Sequence, residues 1–514
     1  MYGRFRRLFC IVLAIVSLWA GFQVPSAAYA LASQSVTRRA LLIGVDDFVS
    51  YPSIYPASTN NVFAMQEALQ ASSIPFAGIM IPPEPVTSVQ ALTALIRDIF
   101  EDSTPDDVCY LYLSTHGEYD ASAQQEPVLL LSDGITEDRL TPAALQEAFA
   151  DIQGTKVLLL DACYSGAFIG KGMYEQPQPT YFSGEDFKVL TSSGAMEESW
   201  YWNTSQALSA TEEPLFPQGS FYFSQALSQS LNPRYGVPAD ANRDGVVTLR
   251  ELYLALLQNH AASTPQVYPQ EDDFPVFCYD PATLVDGEQA RSPIADVRFT
   301  NTSLNATDGK LGLEFIALRP VRVAYQIVTR QGDQWRFDTA QLLYDTVEQY
   351  TAYGDERGAI SPGRKVRTLT LDLPSDETGG YVMVQLVSID QGKLTVHAGC
   401  VIAISPMQGD LALQVTVPER FTPGHAAELP IFVAHAYACL LSVSIVDVDG
   451  NTVRRLCHKQ STRPLGTVPD GSAFYWNGTD KNGTPVEAGV YHIRVTGHIG
   501  QESETVESHA IIID

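Results

Sequence analysis

The apolar and polar positions divide the chain into two regions of different periodicity. From residue 38 to about residue 257, short apolar runs alternate with stretches in which apolar residues recur every three or four positions. The short runs predict buried strands, and the recurring pattern predicts helices. Alternation of the two element types indicates a parallel-rich sheet with helices on both faces. The strand candidates are Ala40–Val45, Val108–Ser114, Lys156–Asp161 and Phe187–Ser192.

Two of the predicted helices have recognisable starts. In TSVQALTALIRDIF, Thr87 and Gln90 have the spacing of a capping box, and apolar residues with helical period follow. In LTPAALQEAF, Thr141 is the predicted N-cap and Pro142 the first helical residue. Functional groups in sheets of this kind gather at the carboxyl ends of the strands.

After about residue 290 the helical period fades, and alternating runs separated by turn signals replace it. PVRVAYQIVTRQGDQWRF and GYVMVQLVSID are typical of strands with one buried face. VDGEQARSP has the composition of a linker, and a break near 405–410 divides the region into two units of sandwich size. The prediction is an α/β domain over residues 36–285, then two β-sandwich domains over 290–405 and 406–514.

Residues 1–30 have the layout of a secretory signal peptide. Arg4, Arg6 and Arg7 precede the apolar run Leu8–Ala20, and Ala28–Ala30 is the predicted cleavage site. The run is short for a membrane span, and no second one appears. We therefore predict a secreted, extracellular protein with no stable membrane span after cleavage; an uncleaved anchor is the alternative.

Composition excludes some classes of partner. Of 514 residues, 45% are hydrophobic and 18% charged, which is typical of a globular protein. A formal net charge of −27 argues against a nucleic-acid partner, because phosphate binding needs a basic surface. Outside the leader the cysteines are too sparse for a disulfide framework. A bond between Cys439 and Cys457 is disfavoured, because a two-residue turn at 449–450 pairs Ser442 with Cys457.

Two predicted strands end in residues suited to nucleophilic catalysis. His116 and Gly117 follow one strand, and Cys163 follows another, so parallel pairing would bring them to the same edge. A cysteine nucleophile needs a nearby imidazole and backbone N–H donors for the oxyanion, and a glycine lets substrate approach the backbone closely. Taken alone, Cys163 is equally consistent with a small buried core residue, and a lone histidine with a structural role. A phosphatase loop or a redox Cys-x-x-Cys would need different residues at Ile169 or Gly166.

The sequence His-Gly after one strand and Asp-Ala-Cys-x-Ser-Gly after another resembles the caspase, metacaspase, clostripain and legumain group of cysteine peptidases. RRALLIGVDDF and TNNVFAMQEAL also resemble the start of that domain, so the resemblance covers roughly residues 36–260. It implies a caspase-like fold and hydrolysis of protein or peptide substrates through a thioester. His116 would be the acid–base residue and Cys163 the nucleophile, with the amides of Gly117 and Cys163 at the oxyanion.

Asp161 has two interpretations. Residues two apart on a strand share a face, so Asp161 and Cys163 are predicted to flank the same cleft. The resemblance implies that Asp161 lines the pocket for an Arg or Lys side chain before the scissile bond. The alternative is an aspartate that caps the next helix. Metacaspases have Asn-Asp where this chain has Asn60-Asn61, so the second pocket carboxylate is missing and selectivity is expected to be looser.

The segment DANRDGVVTLRE matches an EF-hand-type calcium loop, with Gly245 at the sharp turn and a helical pattern after it. A solvated turn is the alternative. We predict Ca²⁺, structural or activating, with ligands Asp240, Asn242, Asp244, Val246 (carbonyl), Thr248 and Glu251.

The last β unit contains FYWNGTDKNGTPVEAGVYHIRV, which resembles the immunoglobulin-like domain of flagellar hook-capping proteins. The resemblance implies a structural or adhesive module, with cell-surface or matrix contact through the β domains. It is carried by Trp476, Gly478, Asp480, Gly483, Gly489 and Tyr491.

The sequence thus predicts a secreted cysteine endopeptidase that cleaves after Arg or Lys. Two alternatives remain open at this stage: a non-catalytic adhesion or binding protein on the same scaffold, and a transpeptidase like those of the legumain group.

Overall fold

The structure is a computed structural model that describes residues 36–514 apart from a set of short segments. The predicted signal peptide lies outside the described residues. Within them, no helix has both the length and the apolar character needed to cross a membrane. The segments not described are 121–122, 124, 173–180, 204–218, 237–238, 260–261, 285–291, 301–302, 306–308, 332–333, 338–339, 344–358, 372–379, 391–392, 406–409, 425–427, 438, 463–470 and 500–501.

Residues 36–284 form an α/β domain. Its strands are β1 (Arg38–Gly44), β2 (Phe76–Met80), β3 (Val108–Ser114), β4 (Gly117–Glu118), β5 (Val128–Ser132), β6 (Glu137–Leu140), β7 (Thr155–Asp161), β8 (Phe187–Thr191), β9 (Tyr201–Asn203), β10 (Gly219–Phe221), β11 (Val246–Thr248), β12 (Gln266–Tyr268) and β13 (Pro275–Cys278). Its α-helices are α1 (Ala57–Gln70), α2 (Val89–Phe100), α3 (Pro142–Ala148), α4 (Tyr222–Leu231) and α5 (Leu249–Asn259).

The central sheet has six strands in the order β12-β8-β7-β3-β1-β2. All neighbours pair in parallel except β12, which is antiparallel to β8. Side chains alternate between two cores: Leu41 and Ile43 pack with α2 and α3, while Ala40 and Leu42 pack with α1, α4 and α5. Burial on both faces explains why the strands are continuous apolar runs, and the four predicted strands are confirmed.

The N-cap of α3 is the residue predicted from the sequence, whereas the N-cap of α2 is its neighbour. Thr141 caps α3 through a 3.2 Å hydrogen bond from the Ala144 amide, as predicted. The N-cap of α2 is Ser88 and not Thr87, because the extended Ser88 places its hydroxyl 3.1 Å from the Ala91 amide.

Strands β14–β23 form the first β domain, and strands β24–β32 form the second β domain. In each, two sheets enclose a separate core, and Trp476 is buried in the core of the second. The first contains β14 (Ile294–Thr300), β15 (Ser303–Asn305), β16 (Lys310–Ala317), β17 (Val321–Gln331), β18 (Gln334–Phe337), β19 (Gln341–Leu342), β20 (Ala359–Ile360), β21 (Gly363–Thr370), β22 (Gly380–Asp390) and β23 (Lys393–Ser405). The second contains β24 (Gln414–Thr416), β25 (Arg420–Phe421), β26 (Leu429–Ala434), β27 (Leu440–Asp447), β28 (Thr452–Ser461), β29 (Gly471–Trp476), β30 (Gly489–Ile499), β31 (Glu502–Glu507) and β32 (Ile511–Ile513).

The β27–β28 hairpin differs in register from the sequence prediction. Val443, rather than Ser442, is paired with Cys457, because bulges shift the ladder and Asp447 closes a longer loop. Asp447 Oδ1 accepts hydrogen bonds from the amides of Asp449 and Asn451, which stabilises that loop. The cysteines of the described residues, Cys439 and Cys457 included, are free thiols.

Candidate active site

The pairing of β3 with β7 brings the predicted nucleophile and base to one edge of the sheet. Ser114 is in register with Asp161, and the Thr115 amide donates to the Asp161 carbonyl at 3.0 Å. His116 and Cys163 therefore each lie two residues beyond a paired position at the carboxyl ends of adjacent parallel strands. This is the edge at which α/β sheets place their functional groups.

Gly117 packs directly against the backbone of Cys163. A Cβ atom at this position would lie 2.0 Å from the Cys163 carbonyl oxygen, so no other residue fits without moving that backbone. The sequence suggested that this glycine admits substrate. The structure adds a different reason for this glycine, which is the close approach of the His116 segment to the Cys163 segment.

The Cys163 thiol points toward the Ser199 carbonyl, with 3.5 Å between Sγ and the oxygen. Burial raises the pKa of Cys163 above its ordinary range, and the charge of Glu198 raises it further. The next residue, Tyr164, adopts a left-handed conformation with φ 60° and precedes the 3-10 helix Ser165–Ile169. A thiol with a raised pKa is protonated at neutral pH, so it would need a base in order to act as a nucleophile.

The His116 ring contacts two aromatic rings. Its ring centroid is 4.5 Å from that of Phe48 and 4.9 Å from that of Tyr51. Burial lowers the pKa of His116 to about 4, against an opposing effect of the Glu137 charge. At neutral pH the imidazole is uncharged, which is the protonation state of a general base, and the same burial makes it a weaker base than an exposed histidine.

Tyr51 is a site residue that the sequence interpretation missed. Its ring contacts His116, and burial raises its phenol pKa to about 12, with the Glu118 carboxylate adding to the shift. Glu118 in turn pairs with Arg139 at 3.2 Å. The available signal was position, because the loop that carries Tyr51 follows β1 and leaves the sheet at the same edge as His116 and Cys163.

Asp161 is fully buried, with an exposed fraction of 0%. Oδ1 accepts from the Ser199 hydroxyl at 2.8 Å, and Oδ2 accepts from the Ser224 amide at 3.1 Å and hydroxyl at 2.5 Å. Burial raises the pKa of Asp161 to about 6, although the hydrogen bonds from Ser224 and Ser199 oppose the shift. Ser224 lies in the first turn of α4, so the Asp161 carboxylate accepts from the N-terminus of α4 and not from that of the 3-10 helix Ser165–Ile169, which directly follows it in the chain.

Asn61, which stands where metacaspases have a second carboxylate, belongs to the same buried polar region. Its Oδ1 accepts from the Ser220 hydroxyl at 2.6 Å, and its Nδ2 donates to the Ser114 hydroxyl at 3.3 Å. Ser114 is the register partner of Asp161. The polar cluster below the catalytic edge therefore contains Asn61, Ser114, Asp161, Ser199, Ser220 and Ser224.

The predicted calcium loop has local geometry that fits an EF-hand-type turn. Asp240 Oδ1 accepts from the Arg243 amide at 2.7 Å, Oδ2 accepts from the Gly245 amide at 3.0 Å, and Gly245 has φ 87°. Asn242 and Asp244 each accept from an amide two residues on. The side chains are all oxygen donors, which suits a hard cation.

Two of the predicted ligands already have other partners. Asp240 Oδ2 accepts from the Tyr279 hydroxyl at 2.7 Å, and Glu251 forms a reciprocal capping box with Thr248 at the start of α5. Across the described residues, His, Cys, Asp and Glu side chains do not gather in threes at metal-binding distance. The calcium assignment stays a prediction.

Comparison with known proteins identifies the family. The model of the caspase domain matches residues 37–293, half of the 514-residue chain, so the chain belongs to the caspase-domain family. The α/β domain is therefore a cysteine-peptidase scaffold, and the predicted resemblance to caspase-like peptidases is confirmed.

Other comparisons are distant. No curated protein matches the chain. A solved structure of a Geobacter sulfurreducens protein is 12% identical with a TM-score of 0.32, covering 48% of this chain and 100% of that one. The dimeric latent PorU of Porphyromonas gingivalis is 13% identical with a TM-score of 0.17, covering 43% of this chain and 20% of that one.

Proposed function

We propose that the chain is a secreted cysteine endopeptidase in which Cys163 is the nucleophile and His116 the general acid–base residue. Membership of the caspase-domain family supports peptide-bond chemistry. The observation that carries the assignment is the register of β3 with β7, because it delivers both residues to one edge of the sheet. The close contact of Gly117 with the Cys163 carbonyl ties the two segments together.

The resting pair is neutral, which sets the order of proton transfers. His116 takes the thiol proton as Sγ of Cys163 attacks the substrate carbonyl carbon, and the amides of Gly117 and Cys163 stabilise the oxyanion. The C–N bond then breaks, and His116 passes its proton to the leaving amine. A water molecule, deprotonated by His116, hydrolyses the thioester and restores the thiol.

The proposed substrate has Arg or Lys before the scissile bond. The Asp161 carboxylate accepts hydrogen bonds and donates none, and the Ser199 and Ser224 hydroxyls now supply its donors. A guanidinium or ammonium group can replace these hydroxyls as the donor and adds charge pairing. Binding of a basic side chain would therefore exchange one set of donors for another, without leaving the carboxylate unpaired.

The test uses purified mature protein and matched fluorogenic peptides with Arg, Lys, Gln or Asp before the scissile bond. Cys163→Ala should abolish turnover, and His116→Ala should reduce it nearly as far, since the two act as a unit. Cys457→Ala, which removes a free thiol of the second β domain, serves as the control. Turnover by Cys163→Ala equal to wild type would refute the assignment. An added amine acceptor distinguishes hydrolysis from transpeptidation.

Secretion and the role of the β domains are part of the same proposal. The sequence pattern of residues 1–30 supports export, and a mature N-terminus at residue 31 in the culture medium is the expected result. The two-sheet packing around Trp476 supports an immunoglobulin-like form for the second β domain, with adhesion to a cell surface or matrix as its proposed role. Recovery of the protein only from cells, with the leader intact, would contradict export.

We also propose that the loop 240–251 binds calcium and so stabilises the α/β domain. The amide-bonded side chains of Asp240, Asn242 and Asp244 support this, as does the left-handed Gly245 between them. The bound ion would hold β11 and the start of α5 together, because the loop spans both.

A further inference from the structure

The second β domain lies against the chain segment that follows the nucleophile. We call residues 163–172 the nucleophile loop; it contains the 3-10 helix Ser165–Ile169 and ends at Lys171 and Gly172. Within the α/β domain this loop is held by hydrogen bonds from the Gly166 amide to the Ser193 carbonyl and from the Ala195 amide to the Lys171 carbonyl, both at 2.9 Å. Its far end is held by another domain.

An ion pair with little solvent exposure joins the loop to the second β domain. Lys171 Nζ lies 2.5 Å from Glu428 Oε2, and the two side chains are 5% and 12% exposed. The same ammonium lies 4.5 Å from the centroid of the Tyr475 ring, at cation–π distance. Loss of one partner from such a pair leaves an unpaired charge in a site that water reaches poorly.

Tyr475 also holds the loop backbone. The amide of Gly172 donates to the Tyr475 hydroxyl at 2.6 Å, across 303 positions of sequence. The contact is to the main chain of the loop, so it fixes where the loop runs and does not depend on the identity of a loop side chain.

An apolar contact extends the interface to the histidine segment. Ala167 of the loop, together with Ala195 and Met196, packs against Phe432 of β26. Tyr119, three residues after His116, packs against the same cluster. The second β domain therefore packs on the nucleophile loop and shares an apolar cluster with Tyr119 of the His116 segment.

We propose that Glu428 and Tyr475 are positioning residues for Cys163, so that full activity requires the second β domain to be docked on the nucleophile loop. This inference rests on the proposed peptidase function. Displacement of a nucleophile by a fraction of an ångström is enough to lower the rate of attack, because the reacting atoms must lie within a narrow range of distance and angle.

The experiment uses the full mature chain with two conservative variants, Glu428→Gln and Tyr475→Phe. Tyr475→Phe keeps the ring and removes only the acceptor for the Gly172 amide, so it tests the proposal even where Glu428→Gln is poorly folded. The matched controls are Glu502→Gln and Tyr491→Phe, in the same domain; the Tyr491 hydroxyl bonds the Glu487 carbonyl within that domain.

The first readout is hydrogen exchange of peptides from the nucleophile loop, with α1 as the internal reference. We expect exchange in the loop to become about five- to tenfold faster in both variants, the effect of losing about one hydrogen bond. The controls and the α1 peptides should not change. Unchanged loop exchange in Tyr475→Phe would overturn the proposal, and this readout needs no peptidase activity.

The second readout is steady-state kinetics. We expect kcat to fall by about tenfold, with KM within about twofold, because the loop carries the nucleophile and not the substrate side-chain contacts. Faster exchange without a fall in kcat would show a purely structural interface and overturn the positioning role. If the wild-type protein shows a protected nucleophile loop but cleaves no substrate, the proposed peptidase function is refuted. Hydrogen exchange in Tyr475→Phe would then still decide whether the second β domain holds the nucleophile loop in place.

Discussion

Asp161 Oδ2 accepts a hydrogen bond from the Ser224 amide at 3.1 Å, which joins the end of β7 to the first turn of α4. The Ser224 hydroxyl bonds the same oxygen at 2.5 Å and also lies 2.5 Å from the Tyr112 hydroxyl. A carboxylate at a helix N-terminus is stabilised by the helix dipole. Asp161 therefore has a structural role as well as its proposed role in specificity.

The titration of Asp161 should appear in the pH dependence of stability. Its folded pKa of about 6 lies above the unfolded value near 3.9, so its stabilising contribution is complete below pH 3.9 and is lost as pH rises through 6. Asp161→Asn has no such loss. We expect the unfolding free energy of the variant, relative to wild type, to increase between pH 4 and pH 7 by up to about 3 kcal/mol.

Denaturant titrations of both proteins at several pH values measure this difference. Asp102→Asn removes an exposed carboxylate of the same domain and serves as the control. A constant difference between Asp161→Asn and wild type from pH 4 to pH 7 would show that burial does not shift this carboxyl group.

The acid limit of activity, meaning the pH below which kcat/KM falls, should lie well below the ordinary pKa of histidine. Burial lowers the pKa of His116 to about 4, so its base form persists down to that pH. With a Gln substrate, whose binding does not use the Asp161 charge, kcat/KM should fall only as pH drops through about 4. Tyr51→Ala removes a ring 4.9 Å from the imidazole and admits water, so the limit should move toward 6.5. Tyr51→Phe keeps the ring and should leave the limit in place.

The measurement is the pH profile of kcat/KM for the three proteins with one Gln substrate, because the charge of Asp161, whose pKa is about 6, would add its own acid limit with an Arg substrate. An identical acid limit in Tyr51→Ala and Tyr51→Phe would mean that the Tyr51 ring does not shield His116.

Four strands of the central sheet, β1, β3, β7 and β8, were predictable because each is an apolar run bounded by polar residues. The common edge of His116 and Cys163 followed from the parallel order of β3 and β7. The caps at Thr141 and Ser88 show the limit of such local rules, since two adjacent hydroxyl residues at 87 and 88 compete and only backbone conformation selects between them. The hydrogen bonds that Asp161 accepts from Ser199 and Ser224 could not be predicted. Strand periodicity gives the face of the sheet on which a side chain lies, but not its partners from distant parts of the chain.

The interface between the α/β domain and the second β domain was also beyond the sequence. Lys171 and Glu428 are 257 positions apart in the sequence. Each is an isolated charged residue in a segment of mixed polarity, and neither belongs to a recognisable motif. Tyr51 was missed for the opposite reason: it follows a predicted strand at the catalytic edge, but only the structure shows that its ring turns toward His116.

Calcium should raise the Tm of the mature protein, because an ion that binds only the folded state stabilises it by mass action. Glu251→Gln separates this effect from helix capping, since glutamine can keep the capping box with Thr248 but lacks the charge of a bidentate ligand. We expect the variant to match wild type in chelator and to show a smaller shift in calcium.

Thermal melts of wild type and variant in calcium, in magnesium and in chelator provide the test. Equal wild-type melting curves in calcium and chelator would contradict occupancy of the loop. If the Tm of Glu251→Gln is lower than that of wild type in chelator, and calcium shifts both proteins equally, then Glu251 acts only in the helix cap and not as a calcium ligand.

The last prediction concerns substrate selectivity at Asp161. The buried carboxylate is surrounded by hydroxyl and amide donors and has no paired cation among the hydrogen bonds that reach it. A substrate guanidinium would supply the missing charge, and such a charge-assisted contact contributes about 1.5–3 kcal/mol, or roughly ten- to a hundredfold in kcat/KM. Asp161→Asn keeps the shape and one acceptor oxygen but removes the charge, so it should lose that factor toward Arg and Lys substrates and change little toward Gln. Because Asn61 provides no second carboxylate, wild-type preference for Arg and Lys over Gln should lie toward the lower end of that range.

The measurement is kcat/KM for the four matched substrates in wild type, Asp161→Asn and the control Asp102→Asn. A wild type that prefers Asp, or that treats all four substrates alike, would leave Asp161 with its structural role at the start of α4 and no part in specificity.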